Sequence, residues 1–399
     1  MPTEFDTLDN EALWQILEYW SYWELPPRVG VMRQIPLPQP DPQLALAIQG
    51  VRRCGKSTLL GQMIDRFRLD RVNCLFANFE DPRLTAHLTS ELLFRIVNLF
   101  SERRQTDQPL WFFFDEIQNV RGWESWLHTA LERNEKECFV VTGSNASLLS
   151  GELSTKLAGR HRLVELYPFD YTEATLAVPE TTPENFLAHG GFPKIVLSGG
   201  DLALRQQYFR DIVERDITNR AGARSSQSVV AVIQMAFESC GSELSLRRLA
   251  AVCGLSADTV GAYLRAAEDA YLLFSCPFFS HSSRQRRVRN QKYYPIDTGL
   301  RRAVVAGTSP DLGKSLECSV YLALKKRFSE VCYWRQQRKV DFVVVDQGRP
   351  LPVLVSWGEP QDRHHLALDE FYSTFPNSHE ACFVSAEDLA DGFATCFPA

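Results

Sequence analysis

An α/β fold built on a parallel sheet is predicted by three features of the chain. Apolar runs of strand length alternate with helical segments. The first run passes straight into a glycine-framed loop ending in lysine, and two later runs end in acidic or polar residues. Such alternation implies parallel strands joined by helical crossovers, with helices on both faces. The C-terminal ends of those strands then converge on one crevice.

The first strand is LALAIQ, residues 44–49. Directly after it, Gly50-Val51-Arg52-Arg53-Cys54-Gly55-Lys56-Ser57 matches the phosphate-loop pattern G-x-x-x-x-G-K-[ST]. Four fixed positions match by chance in roughly one chain in a hundred of this length. The glycines permit a tight turn, so that backbone N–H groups from Gly50, Arg53, Cys54, Gly55, Lys56, Ser57 and Thr58 face phosphate oxygens. The helix that follows adds the positive end of its dipole. Lys56 is expected to neutralise the β- and γ-phosphates of ATP, and the Ser57 hydroxyl to ligate Mg²⁺.

A hydrolase also needs carboxylates on a second strand. Leu110–Phe114 is a continuous apolar run, as expected of a strand buried on both faces, and it ends in Asp115-Glu116. Asp115 is placed to hold Mg²⁺ through water, and Glu116 to polarise the attacking water. A third strand, Cys138–Thr142, ends in Gly143-Ser144-Asn145. Ser144 and Asn145 are both candidates to touch the γ-phosphate or the water. A fourth, Cys74–Phe79, ends in Glu80-Asp81 and is expected between the loop strand's neighbours and the sheet edge, its acids near the nucleotide. A fifth, Arg162–Leu166, follows Arg160. That arginine is a candidate to sense the γ-phosphate in its own subunit or to reach a neighbouring one, weighed against a plain surface arginine.

These segments resemble the bacterial and archaeal AAA-type ATPases that join a P-loop domain to a winged helix and a restriction-endonuclease-like C-terminal domain. The matching stretches are QGVRRCGKSTLL (49–60), NFEDP (78–82), FFFDEIQNVRGWE (112–124), VTGSNASLLS (141–150), LAGRHRLVELYPF (157–169), GGFPKIV (190–196), YFRDIVERDI (208–217), KYYPIDTGL (292–300) and VDFVVV (340–345). They lie in the family's order over nearly the whole chain. The resemblance implies the AAA-like, additional-strand class of P-loop fold, and ATP hydrolysis with Lys56, Ser57, Asp115 and Glu116 in the roles above. The divisions it suggests are 1–40, an aromatic-rich segment and Pro-rich connector; 41–175, the P-loop domain; 176–228, a helical lid; 229–300, a winged helix; and 301–399, a degenerate nuclease-like domain.

Helical spacing of Tyr208, Phe209, Ile212, Val213 and Ile217 predicts one helix from Asp201 to Asn219, carrying Arg215. Residues 245–270 outline a helix-turn-helix, with Gly254-Leu255-Ser256 as the turn and Ser256 as a helix cap. Strand-like runs at Leu272–Phe279 and Lys292–Ile296 complete a winged-helix pattern. Between them, residues 280–290 are expected to be a loop. Its Arg284, Arg286, Arg287 and Arg289, with Lys292, are the candidate DNA contacts, tracking a phosphate backbone without reading sequence.

In the C-terminal part, a helix around Leu312–Arg327 carries Glu317 and the next strand carries Asp341. Leu354 and Ser356 stand where a nuclease of that kind needs an acid and a lysine, so metal-assisted cleavage is not expected. Arg335, Arg338 and Lys339 are further candidates for phosphate contact.

Charge supports an anionic partner. Residues 281–340 hold fourteen Lys/Arg against four Asp/Glu, a net of +10, leaving −16 on the remainder of a chain whose total is −6. Ten scattered cysteines lack zinc or redox spacing and read as reduced thiols; Cys54, inside the loop, is expected to make the site sensitive to oxidation. No apolar run reaches the length of a membrane span, and the acidic start is unlike a secretory signal, so a cytoplasmic location without membrane contact is expected. Trp14, Tyr19, Trp20, Tyr22 and Trp23 near the start are read as packing onto the ATPase core. Together these features predict a Mg²⁺-dependent ATPase coupled to DNA binding or remodelling, and oligomeric if Arg160 acts between subunits. The alternatives are a nucleotide switch acting on a protein partner and an ATP-gated nuclease.

Overall fold

Four of the apolar runs become strands because they are buried along almost their whole length, whereas the fifth, at 161–165, is part exposed. The computed structural model describes residues 8–24, 26–27, 30–132, 136–144, 157, 159–223, 225–305 and 311–397. The chain divides into two compact units, residues 1–166 and 167–399.

In the first unit, helix α1 (Asn10–Trp20) precedes strand β1 (Ala45–Gln49), and α2 (Lys56–Phe67) leads to β2 (Cys74–Asn78). Then come α3 (Ser90–Arg104), β3 (Leu110–Asp115), α4 (Trp123–Glu132), β4 (Glu137–Gly143) and β5 (His161–Glu165). All five strands pair in parallel, in the order β2-β3-β4-β1-β5. β4 therefore lies between the loop strand β1 and the acidic strand β3. Phe112 and Phe114 with Phe139, Trp126 and Phe100 make an aromatic core on one face of the sheet.

β2 is the edge strand itself, and its open side is not bare. Ser21 Oγ accepts the Phe76 N–H at 3.0 Å, and Trp23 Nε1 donates to the Cys74 carbonyl at 2.7 Å. Trp23 in turn stacks on Phe100 and carries the Arg104 guanidinium over its ring. The aromatic start of the chain thus packs onto the sheet, as its composition implied.

The second unit begins with α5 (Tyr171–Ala177), α6 (Pro183–His189), α7 (Pro193–Leu197) and α8 (Leu202–Ile212). The expected helical stretch to Asn219 is present, its last part, Val213–Thr218, wound as a π-helix. Next are α9 (Ser226–Glu238), β6 (Glu243–Leu244), α10 (Leu246–Cys253) and α11 (Ala257–Asp269), followed by β7 (Leu273–Cys276), α12 (Ser283–Val288), β8 (Gln291–Pro295) and α13 (Thr298–Val304). The turn between α10 and α11 is built as the residues dictate. Gly254 takes a left-handed φ of 65° and Ser256 caps α11 by accepting the Thr259 N–H. β6, β8 and β7 form a three-stranded antiparallel sheet with β8 central. Finally α14 (Leu312–Arg327), β9 (Cys332–Arg335), β10 (Lys339–Asp346), β11 (Arg349–Val355), α15 (Asp362–Thr374) and β12 (Cys382–Val384) give a sheet ordered β12-β11-β10-β9.

A buried carboxylate ties two of the sequence motifs together. Asp297 caps α13 by accepting the Leu300 N–H at 2.8 Å, and its other oxygen accepts the Gly191 N–H at 2.6 Å. Gly190 has φ +80°, and a Cβ there would meet Asp297 Oδ1 at 2.1 Å. The glycine pair after α6 and the Asp-Thr-Gly-Leu run are therefore two halves of one joint.

Candidate nucleotide site

The loop between β1 and α2 turns through two left-handed residues, Arg53 (φ 70°) and Gly55 (φ 102°). Gly50 needs its missing side chain, since a Cβ would lie 2.1 Å from the Leu166 carbonyl. The turn sets Lys56 as the first residue of α2, at 4 % exposure. Its ammonium donates to the carbonyls of Gly50 (3.0 Å) and Val51 (3.3 Å) and lies 3.6 Å from Glu116 Oε1. Burial alone would lower its pKa; the Glu116 charge, then Cys54 and Asp115, raise it above the ordinary lysine value.

Asp115 ends β3, in the same sheet as β1 and separated from it by β4. Ser57 Oγ donates to Asp115 Oδ2 at 2.6 Å, and Thr142 Oγ1 donates to Asp115 Oδ1. Thr142 also accepts the Glu116 N–H at 3.0 Å, so one hydroxyl from β4 holds both acids. Burial, together with the Glu116 charge, pushes the Asp115 pKa up despite the two hydroxyl donors. A buried carboxylate beside a hydroxyl oxygen is a hard-oxygen donor set that a Mg²⁺ ion would satisfy, so Ser57 and Asp115 fit the metal expected of them.

Glu116 takes a left-handed backbone, φ 56° and ψ 45°, a strained choice for a residue with a Cβ. Its carboxylate meets Lys56 on one side and Gln118 on the other, where Gln118 Nε2 donates to Oε2 at 2.5 Å. Burial is the largest single influence and opposes its charge, but Lys56, Gln118, Arg52 and Ser144 together outweigh it, keeping the pKa below the usual glutamate value. Glu116 is therefore a buried carboxylate whose charge its surroundings favour, the state a general base needs.

Other expectations change. Cys54 is fully buried and burial raises its thiol pKa, so it is not the exposed thiolate that oxidation requires. Its carbonyl instead receives the Arg33 guanidinium at 3.0 Å. Glu80 does reach the loop, pairing with Arg52 at 2.9 Å. Asp81 does not: Arg83 and the Trp20 indole hold it, and the Arg83 bond leads in lowering its pKa to about 2. Arg160 precedes β5, and its carbonyl accepts the Ala45 N–H at the start of β1. It lies at the opposite end of the parallel sheet from the phosphate loop and pairs with Glu132 at 3.3 Å. A role at its own subunit's γ-phosphate is excluded by that geometry. Asn145 lies outside the described residues; Ser144 is buried and lies 3.5 Å from Gln118 Nε2.

The basic stretch is also partly spent. Ser282 caps a short helix, so residues 283–288 are not an open loop. Arg284 and Arg287 are exposed, whereas Arg286 pairs with Glu330 and Arg289 lies over the Phe278 ring at 4.8 Å. Lys292 sits on the central strand β8 with 2 % exposure, its ammonium 3.4 Å from Glu317 Oε1. It is removed from the DNA-contact set because it is a buried ion-pair member. Lys339 is similarly engaged, 2.8 Å from Asp341 and 3.5 Å from Glu317. Among the described residues no group of three or more His, Cys, Asp or Glu side chains could hold a metal, and no helix is long and apolar enough to cross a membrane.

The sheet order and the loop have the arrangement of a P-loop fold. Residues 42–175 match the family model described as an AAA domain, and residues 181–311 match a domain of unknown function. An uncharacterised protein of Haemophilus influenzae is 28% identical over 343 residues, covering 81% of this chain and 85% of the relative. One from Methanocaldococcus jannaschii is 26% identical over 338 residues, covering 78% and 74%. The AMPPCP-bound DnaA of Aquifex aeolicus aligns over 57% of this chain and 82% of its own, with a TM-score of 0.29 and 14% identity. Sequence reasoning missed Thr142, Gln118 and Arg33. Thr142 was legible as the polar end of a buried strand beside Asp115; Arg33 carried no signal.

Proposed function

We propose that the chain is a Mg²⁺-dependent ATP hydrolase whose turnover is coupled to contact with DNA. The observation that carries the hydrolase reading is the convergence of Lys56, Ser57, Asp115 and Glu116 from two strand ends that are not adjacent in sequence. Lys56 would leave its carbonyl partners for the β- and γ-phosphates. Ser57 and Asp115 would hold the ion, which neutralises phosphate charge when bound. Glu116 would take the proton of the attacking water. The AAA-domain match over 42–175 supports the same reading.

The DNA part rests on Arg284 and Arg287, exposed on α12, in a region whose α9–α11 and β6–β8 order supports a winged-helix reading. The helix–three strands–helix–strand order after residue 311 supports a restriction-endonuclease-like core. Its Glu317 and Asp341 face the Lys339 ammonium, and Leu354 is buried, so we read it as a binding rather than a cutting domain. A second reading, a nucleotide switch acting on a protein partner, is favoured by the engagement of Arg286, Arg289 and Lys292 within the fold.

The deciding experiment is ATP turnover with and without single-stranded, duplex and branched DNA. Stimulation by DNA supports coupling; turnover indifferent to every DNA moves the weight to the protein-partner switch. No turnover in Mg²⁺, with or without DNA, would sink the hydrolase reading itself.

A further inference from the structure

Gln118 presents an unspent acceptor beside the proposed base. Its amide nitrogen must face Glu116, because only an N–H is tolerated 2.5 Å from a carboxylate oxygen; this fixes which end of the amide is which. The same nitrogen lies 3.5 Å from Ser144 Oγ at the end of β4. The carbonyl oxygen, Gln118 Oε1, is buried and has no hydrogen-bond partner among the described residues. A buried acceptor left empty costs about 1–3 kcal/mol, so such an atom is normally matched by a donor.

Glu116 turns one oxygen to the Gln118 amide N–H and the other to the Lys56 ammonium, so both act as acceptors there and neither supplies that donor. A water molecule can, and a water held there would be shared between two acceptors: Gln118 Oε1 and the Glu116 carboxylate. We propose that Gln118 orients the attacking water, its amide N–H clamping Glu116 while its carbonyl accepts one water hydrogen. This rests on the hydrolase reading above and adds a residue to it. In the step itself, the water oxygen forms a bond to the γ-phosphorus as the bond to the bridging oxygen breaks. The electron pair leaves with ADP, and the second water proton passes to Glu116. Gln118 gives up no proton; it aims the oxygen lone pair and keeps Glu116 from rotating back to Lys56 once that lysine has moved to phosphate.

The test compares Gln118→Leu and Gln118→Glu with the parent, measuring steady-state ATP turnover and, separately, equilibrium binding of AMPPCP. Both variants should lose about 100-fold in kcat, the scale of a lost water-orienting contact, with AMPPCP affinity unchanged. Gln118→Glu keeps the volume, so its loss would show that the amide, not the packing, matters. In the Glu116→Gln background, adding Gln118→Leu should cost nearly nothing more, because both act on the same water. Parent-like kcat in both variants, or weakened AMPPCP binding, overturns the role of Gln118 while leaving the ATPase reading intact. Absence of turnover in the parent overturns both.

Discussion

Residue by residue, the site is a set of charges that balance only as a group. Lys56 and Glu116 are both buried and each holds the other ionised. Glu116→Gln should therefore retain ATP and lose about 100-fold or more in turnover, read by nucleotide binding against phosphate release. Lys56→Ala should abolish tight nucleotide binding; a variant that binds and turns over like the parent would refute the loop assignment. Asp297 behaves in the opposite sense. Burial raises its pKa from 3.8 to about 6, although three backbone N–H groups and Arg205 pull it down. A carboxyl with a folded pKa above its unfolded one favours the fold most at low pH. That contribution is lost as pH rises from about 4 through 6, a difference of about 3 kcal/mol. Yet Asp297→Asn should not stabilise the protein at pH 7.5. One oxygen becomes an amide nitrogen facing a backbone N–H, at a cost of about 1–3 kcal/mol. Thermal melts at pH 5 and 7.5 check this: a lowered and less pH-dependent melting temperature is expected, and a raised one contradicts the account.

At the scale of elements, legibility followed burial. β3 and β4 were readable because strands buried on both faces must be apolar throughout, and α10 and α11 because Gly254 and Ser256 punctuate them. The helical stretch from Asp201 to Asn219 was legible in its extent, but apolar spacing does not distinguish α winding from the π winding at Val213–Thr218. α12 was hidden because its six residues are mostly polar, and only the Ser282 cap announced it. The joint between α6 and α13 escaped for another reason: nothing in one dimension pairs Gly190 with Asp297. Gly190→Ala should cost at least 2 kcal/mol, because its Cβ would strike the Asp297 carboxylate and its φ is left-handed. Urea unfolding followed by tryptophan fluorescence measures it.

For the molecule as a whole, charge counting overstated the basic face. Of the five candidate DNA contacts, Lys292 is buried and two arginines already have partners. A sequence reveals where positive residues occur, but not that Glu317 and Glu330 have folded against them. Replacing Arg284 and Arg287 with alanine should flatten the salt dependence of duplex binding by about two counterions, while Lys292→Ala should lower stability without changing that slope. Fluorescence anisotropy across a salt series reads both; an unaltered slope in the double variant clears α12 of the role. The parallel direction of the strands, by contrast, was legible from the two strand-end motifs, because a P-loop and an acidic pair can share a crevice only if the strands run parallel.

The cover on β2 has a practical corollary. Ser21 and Trp23 occupy hydrogen-bonding groups that would otherwise form an open template for another strand. A gene fragment begun at residue 41 to isolate the nucleotide domain would uncover that template beside a stack of buried aromatic rings. Its product would self-associate through the exposed strand and sediment as large species, and the loss of ATP turnover would be misread as a catalytic defect.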